Sequence, residues 1–118
     1  MKFRVLLLSL FVVAVGLAVA PIAAPQSKAT SSTTVTVTMK EFKFILSKKS
    51  VPHGKVVFKL SNKGHLAHDF SISGKKSALV KPGKTGSLTV TLTKGSRPYK
   101  CTVAGHASYG MKGVLKAT

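Results

Sequence analysis

A period-two alternation of apolar and polar residues is the feature that most constrains the fold of this chain. Residues 34–39 read TVTVTM, residues 55–60 read KVVFKL and residues 87–93 read SLTVTLT. Alternation in β-branched and aromatic residues is typical of strands that bury one face. Further segments of this kind lie at residues 41–46, 69–72, 97–103 and 112–117. Turn-forming residues separate them, so the chain is predicted to be all-β, an antiparallel Greek-key β-sandwich of about seven to eight strands.

The charge of the chain is strongly one-sided. Nineteen lysines and arginines stand against two acids, Glu41 and Asp69, which gives a formal net charge of +17. So few carboxylates argue against general acid–base catalysis by a carboxylate pair. The excess of positive charge instead predicts an acidic partner, an anionic surface such as a membrane, or nucleic acid. Cys101 is the only cysteine, which excludes an intramolecular disulfide.

The first 29 residues are predicted to lie outside the folded domain. Lys2 and Arg4 precede an apolar run over residues 5–20, and small residues follow it. This is the pattern of an export signal, and the run is short for a membrane span, which needs about 20 apolar residues. We therefore interpret residues 1–29 as an export signal or membrane tether with a small-residue linker, and residues 30–118 as one domain. The expected location is the periplasm or the extracytoplasmic cell surface.

The segment CTVAGHASYGMKG places a thiol, an imidazole and a thioether at even spacing, as Cys101, His106 and Met111. Taken singly, each has a plain structural explanation: a small buried residue, a loop histidine and a core-filling side chain. Together they lie where one predicted strand ends, a loop turns at Gly105 and the last strand begins. A return of this length is expected to bring the three side chains to one end of the sandwich, as a metal site requires.

A further ligand is expected from a neighbouring strand end. His68 begins the predicted strand HDFSI and is the favoured candidate. His65 lies earlier in the same loop, at a position expected to face solvent, and His53 lies in the tight turn VPHG. The predicted metal ligands are therefore His68, Cys101, His106 and Met111.

This set of side chains suits copper. Two imidazoles, a thiolate and a weak methionine sulfur satisfy both Cu(I) and Cu(II), so an electron moves with little rearrangement of the ligands. Zinc also accepts cysteine and histidine, but its sites usually hold four strong ligands and a thioether is a poor fourth. Non-haem iron requires a carboxylate, and Asp69 is the one acid close to these residues in sequence.

The segment CTVAGHASYGMKGVL, together with NKGHLAHDFSI upstream, resembles the ligand regions of the cupredoxins, the small blue copper proteins. The resemblance extends over roughly residues 35–117 and has its specificity in these two motifs. It implies a cupredoxin-like β-sandwich in residues 30–118 that binds one type 1 copper ion per chain. His68 and His106 correspond to the two histidine ligands of the family, and Cys101 corresponds to the thiolate. Met111 corresponds to the axial ligand.

Two positions depart from the family pattern. Many members carry asparagine directly after the first histidine ligand, where its side chain ties the ligand loops together, whereas this chain has Asp69. An ionised aspartate accepts hydrogen bonds but donates none, so a rearranged tie is expected. Ala67 stands where some members have a glycine whose carbonyl is a further axial ligand. A fifth ligand is therefore not expected here.

The resemblance implies a protein that shuttles single electrons outside the cytoplasm and is not an enzyme. The exposed edge of His106 is the expected electron port. The protein is expected to be a monomer. Its expected partner is an acidic redox protein, such as a cytochrome or a copper-oxidase domain. A copper carrier without a redox partner would use the same ligands and stays open as the alternative.

Two other classes of function are less favoured. Nucleic-acid binding is disfavoured because the chain has no tryptophan and its lysines are not interleaved with aromatic residues. A thiol enzyme that uses Cys101 and His106 is disfavoured because no aspartate or asparagine that could orient the imidazole lies close to His106 in sequence.

Overall fold

The computed structural model describes residues 12–24 and 31–118 of the chain. Residues 12–24 are exposed and form neither a strand nor a helix. Within these two ranges, the chain forms no helix of the length and apolarity that a membrane crossing demands. The basic start of the predicted export signal and the predicted domain boundary at residue 30 lie outside the described residues. The division of the chain at that boundary therefore stays a prediction.

Residues 31–118 form two packed β-sheets. The strands, in chain order, are β1 (Thr33–Lys40), β2 (Lys43–Leu46), β3 (Ser50–Val51), β4 (Gly54–Asn62), β5 (Ser71–Ile72), β6 (Lys75–Lys76), β7 (Thr85–Leu92), β8 (Gly95–Lys100) and β9 (Lys112–Ala117). One sheet has the order β2-β1-β4-β7 and the other has the order β3-β9-β8-β5-β6. The predicted all-β sandwich is confirmed. The two strands beyond the predicted segments, β3 and β6, have two residues each, which is too short for alternation to reveal them.

Both sheets are mixed, which corrects the expectation of purely antiparallel pairing. The pairs β1–β4 and β3–β9 run parallel, whereas the other strand pairs are antiparallel. The reason lies in the path of the chain. After the β1–β2 hairpin, the chain crosses to the second sheet at β3 before it returns beside β1 as β4, and this crossover lets β4 run in the same direction as β1.

The core lies between the sheets and is built from the inward phase of each strand. In β1, Val35, Val37 and Met39 are all fully buried, and Val35 pairs with the buried Phe58 of β4. Burial of such side chains is the dominant favourable contribution to folding. The opposite phase carries exposed polar residues and lysines, including Lys59 on β4. The predicted inward and outward faces of these strands are thus confirmed.

Two strands are shorter than predicted, one at its end and one at its start, and the freed residues build the site. The predicted strand at residues 97–103 stops at Lys100, because the Thr102 N–H donates to the Asp69 carboxylate (2.6 Å) instead of to a neighbouring strand. The predicted strand at residues 69–72 is reduced to β5, while His68 forms an isolated bridge with Val80. The chain therefore leaves regular pairing at the same end of the sandwich in both places.

Candidate metal centre

The loop between β8 and β9 carries three of the predicted ligands. Cys101 follows β8 directly and Met111 directly precedes β9. Because Lys100 pairs with Lys112 in the β8–β9 ladder, Cys101 and Met111 lie opposite each other at the base of the loop. The Cys101 N–H donates to the Met111 carbonyl at 3.0 Å. The hairpin return predicted from the sequence is therefore present.

Backbone hydrogen bonds hold His106 in the middle of this loop. Its N–H donates to the Val103 carbonyl at 3.1 Å, and its own carbonyl accepts from the Met111 N–H at 3.1 Å. The chain can turn back here because Gly105 adopts a φ of 82°, a conformation that residues with a Cβ rarely adopt. The imidazole is thereby directed toward the base of the loop, where Cys101 lies.

His68 reaches the same place from the other part of the chain. Its N–H donates to the Val80 carbonyl at 3.0 Å, and its carbonyl accepts from the Val80 N–H at 2.7 Å. This two-way pairing fixes the backbone on both sides of the residue, and the side chain is fully buried. The remaining histidines, His53 and His65, are exposed and lie outside the cluster.

The three side chains converge on one point. The Nδ1 atoms of His68 and His106 are 3.1 Å apart, and Cys101 Sγ lies 3.6 Å from His106 Nδ1. One donor atom from each of the three residues lies within 4.8 Å of the others. Ligand bonds of about 2.0–2.3 Å place two donors of a trigonal centre roughly 3.5–3.8 Å apart, so the cluster has about the size of a metal site. The exposures of the residues are only 0%, 1% and 8% for His68, Cys101 and His106.

Met111 completes the predicted set by its position. Its side chain is fully buried beside the loop base, and its backbone bonds to both Cys101 and His106. An axial role for its sulfur stays a prediction.

Asp69 ties the two ligand loops together. Its Oδ1 accepts from the Thr102 N–H at 2.6 Å, and its Oδ2 accepts from the Thr102 hydroxyl. The expected rearrangement consists of this second bond, because the side-chain nitrogen of an asparagine could not accept from the hydroxyl. Since Asp69 adjoins His68 and Thr102 adjoins Cys101, the link sets the separation of the two ligands.

Glu41 lies beside His68 and is absent from the predicted set. It occupies the turn between β1 and β2, and its Oε1 is 3.3 Å from His68 Nε2. The pKa of Glu41 is lowered to about 2, chiefly because the carboxylate accepts the Leu66 N–H. Because Glu41 faces Nε2, it lies on the far side of the ring from the metal-facing Nδ1 and is not a ligand of the same ion. The sequence offers one signal for this residue: Glu41 is one of only two acids in a chain of charge +17.

Burial sets the protonation of the donors. It lowers the pKa of the His68 imidazole, which therefore favours the neutral form that binds metal. It raises the pKa of the Cys101 thiol, so the sulfur holds its proton until a metal displaces it. Metal binding to this site is thus expected to release a proton.

Comparison with known proteins places the chain in a family. The model of the cupredoxin-like domain matches residues 9–115, so the chain belongs to the cupredoxin-like family. His68, Cys101 and His106 are positioned as a copper site of that family. Among curated proteins, no sequence matches the chain.

Three solved structures share the fold. Sodium dithionite-reduced auracyanin from the photosynthetic bacterium Roseiflexus castenholzii has a TM-score of 0.65 and 20% identity, over 73% of this chain and 97% of that one. Auracyanin B has a TM-score of 0.63 and 21% identity, over 78% and 92%. Auracyanin A, a "blue" copper protein from the green thermophilic photosynthetic bacterium Chloroflexus aurantiacus, has a TM-score of 0.60 and 19% identity, over 75% and 100%.

Proposed function

We propose that this chain is a type 1 blue copper protein that carries single electrons and works outside the cytoplasm. The observation that carries the proposal is the buried convergence of two imidazole Nδ1 atoms and one cysteine sulfur, from His68, His106 and Cys101. Membership of the cupredoxin-like family and the fold shared with auracyanin A, a blue copper protein, support it. In this proposal the thioether of Met111 would supply a weak fourth ligand.

The copper ion would supply the one-electron couple, and the chain supplies ligands that hydrogen bonds hold in place. Paired backbone hydrogen bonds fix His68, the β8–β9 loop fixes His106, and Asp69 holds Cys101 near His68 through Thr102. Ligands held in this way keep one geometry for Cu(I) and Cu(II), which lowers the cost of reorganisation during transfer. Burial excludes water, which would otherwise compete for the metal.

We propose the outer edge of His106 as the electron port. The Nδ1 atom of this ring faces the other ligands, so the opposite edge faces away from the site. The rim beside His106 includes two uncharged aromatic rings: Phe42 makes a T-shaped contact with the His106 ring at 5.1 Å between centroids, and the exposed Tyr109 packs on Phe42 at 4.9 Å. Such a rim lets a partner approach the imidazole without desolvating a charge.

An acidic redox partner would fit the surroundings of the port. Four exposed lysines lie at the end of the sandwich that carries the predicted ligands, each directly next in sequence to a residue of the site or of its loops. They are Lys40, Lys63, Lys100 and Lys112. Together with the net charge of +17, they would steer a negatively charged partner toward His106.

Electron transfer to an acidic cytochrome tests this steering. We expect the bimolecular rate constant to fall as ionic strength rises, because salt screens the attraction. Reversing two charges near the port, in Lys100→Glu/Lys112→Glu, should slow transfer at low salt. The matched control Lys55→Glu/Lys116→Glu changes the net charge equally on strands β4 and β9 away from the loop. Equal slowing by both pairs would refute docking at the ligand end.

Export is the second part of the proposal. The basic start and apolar run within residues 2–20 support it, and the same segment could serve as a tether. Cell fractionation with N-terminal sequencing tests it. Recovery of the protein in the cytoplasmic fraction, with residues 1–20 still attached, would contradict export.

A thiol enzyme is disfavoured by the environment of Cys101. Reactive cysteines are partly exposed and have a lowered pKa. Here burial raises the pKa of the thiol and leaves 1% of the residue exposed. We therefore propose electron transfer and not catalysis.

Copper loading of the purified protein tests the central proposal. We expect one copper ion per chain, an intense blue colour from thiolate-to-copper charge transfer, and a reversible one-electron couple. A colourless copper form with a thiol that still reacts freely would contradict it. A blue form whose Cu(I) exchanges readily and that lacks fast electron exchange would instead favour the copper carrier.

A further inference from the structure

The Glu41 carboxylate makes three contacts on the far side of His68. Its Oε1 accepts from the His65 N–H at 2.7 Å and from the Leu66 N–H at 2.6 Å, and it lies 3.3 Å from His68 Nε2. The side chain is 23% exposed, so it reaches inward from the surface. One oxygen therefore holds both the loop that carries His68 and the imidazole itself.

This contact decides which ring nitrogen of His68 faces the copper site. A neutral imidazole has one N–H and one lone pair. The carboxylate can only accept, so it favours the proton on Nε2 and leaves the Nδ1 lone pair facing His106 Nδ1 at 3.1 Å. A carboxylate that accepts from the outer nitrogen of a ligand histidine also fixes the ring orientation and makes the imidazole a stronger donor.

The backbone around Glu41 is shaped for this carboxylate. A Cβ added to Gly64 would lie 2.5 Å from Oε1 and 2.6 Å from Oε2 of Glu41. A side chain at residue 64 would therefore push the carboxylate away. The loop is held independently, because Asn62 donates to the Leu66 carbonyl at 2.7 Å and accepts from the Gly64 N–H at 2.9 Å. The space at Gly64 thus serves the carboxylate and is not needed to close the loop.

Charge gives the contact a further effect. Glu41 and Asp69 are the only acids in a chain of charge +17, and both lie at the site, one bonded to His68 and one beside Cys101. We infer that Glu41 is a positioning residue of the copper site: it presents His68 Nδ1 to the ion and stabilises Cu(II) over Cu(I). The inference rests on the proposed copper function, and the physical reason is that a nearby negative charge favours the more positive oxidation state.

Replacing Glu41 with glutamine separates charge from shape. The amide oxygen of Glu41→Gln can still accept from the two backbone N–H groups, but the negative charge is gone. Mutation of the residue that bonds to a ligand histidine costs about 10–100-fold in metal affinity. We expect Cu(II) affinity to fall about tenfold and Cu(I) affinity to change less, which raises the reduction potential by up to about 59 mV for this one-electron couple.

Two further variants act as controls for this measurement. Gly64→Ala keeps the charge and displaces the carboxylate, so it should raise the reduction potential, as Glu41→Gln does. Thr89→Lys also raises the net charge by one, at an exposed position on β7, which carries none of the four ligands. Thr89→Lys should change the Cu(II) affinity less than twofold. A Glu41→Gln protein with unchanged potential and unchanged Cu(II) affinity would overturn the inference.

A metal-free readout keeps this test independent of the copper proposal. Nitrogen-15 NMR of the His68 ring should show the proton on Nε2 in the wild-type metal-free protein and a shift toward the other tautomer in Gly64→Ala. A wild-type ring protonated on Nδ1 alone would overturn the inference whatever metal binds. A protein that stays colourless with copper but shows Nε2–H would instead contradict the proposed function and support the contact.

Discussion

Replacing Cys101 with serine is expected to abolish the blue colour of the copper-loaded protein completely. The colour of a type 1 site arises from charge transfer between a thiolate and copper, and the serine hydroxyl stays protonated and is a harder ligand. The substitution is nearly isosteric, so the imidazoles of His68 and His106 should still meet at the site. Visible absorption and copper content of the purified variant measure the effect.

The control for this experiment is a buried hydroxyl elsewhere in the core. Val90 of β7 is buried and pairs with Val56 near the start of β4, whereas His68 lies near the other end of that strand, so Val90→Thr adds a comparable polar group away from the site. It should lose stability yet keep the colour. A Cys101→Ser protein that remains intensely blue would mean that the sulfur is not the ligand responsible, and the assignment of the site would have to be abandoned.

Truncating Phe70 to alanine is expected to produce the largest loss of stability. The Phe70 ring is fully buried and packs against three aromatic rings, those of Phe44, Phe58 and Tyr99, with centroids 4.9–5.4 Å apart. Removal of a buried phenylalanine side chain costs about 3–5 kcal/mol. This is a large share of the stability of a single domain, which is about 5–15 kcal/mol. Because each 1 kcal/mol lowers the melting temperature of a domain of this size by about 4–8 °C, the variant should melt at least about 12 °C lower than the wild type.

Thermal unfolding of the metal-free protein measures this loss without a contribution from copper binding. Val114→Ala is the matched control, because Val114 is 60% exposed on β9 and its truncation should change stability by less than about 0.5 kcal/mol. Equal melting temperatures for the two variants would show that the aromatic cluster around Phe70 does not hold the sheets together. Because Phe70 lies two residues after His68, we also expect weaker copper binding in Phe70→Ala.

Strand faces were predictable from sequence because alternation reports burial directly. Val35, Val37 and Met39 alternate with threonines, and the structure buries all three. The direction of pairing was not predictable in the same way. Whether β4 runs parallel or antiparallel to β1 depends on where the intervening chain crosses between the sheets, and the alternation within each strand is the same in both cases.

The metal site likewise combines contacts that were predictable from sequence with contacts that were not. The spacing of Cys101, His106 and Met111 was informative because a single hairpin return brings them together, so local geometry suffices. The tie from Asp69 to Thr102 and the contact from Glu41 to His68 join residues 33 and 27 positions apart. No periodic pattern encodes such contacts, because they depend on how separate loops meet at the end of the sandwich.

The sequence by itself determined the kinds of donor atom available and the face of each strand that is buried. Residue chemistry and period-two patterning are local properties, so they can be read without knowing the path of the chain. Only the tertiary structure decided that His68 and His106, 38 residues apart, meet through their Nδ1 atoms and that Glu41 contacts the Nε2 atom of His68. These contacts exist because the Greek-key path brings the β1–β2 turn, the loop before β5 and the β8–β9 loop to one end of the sandwich.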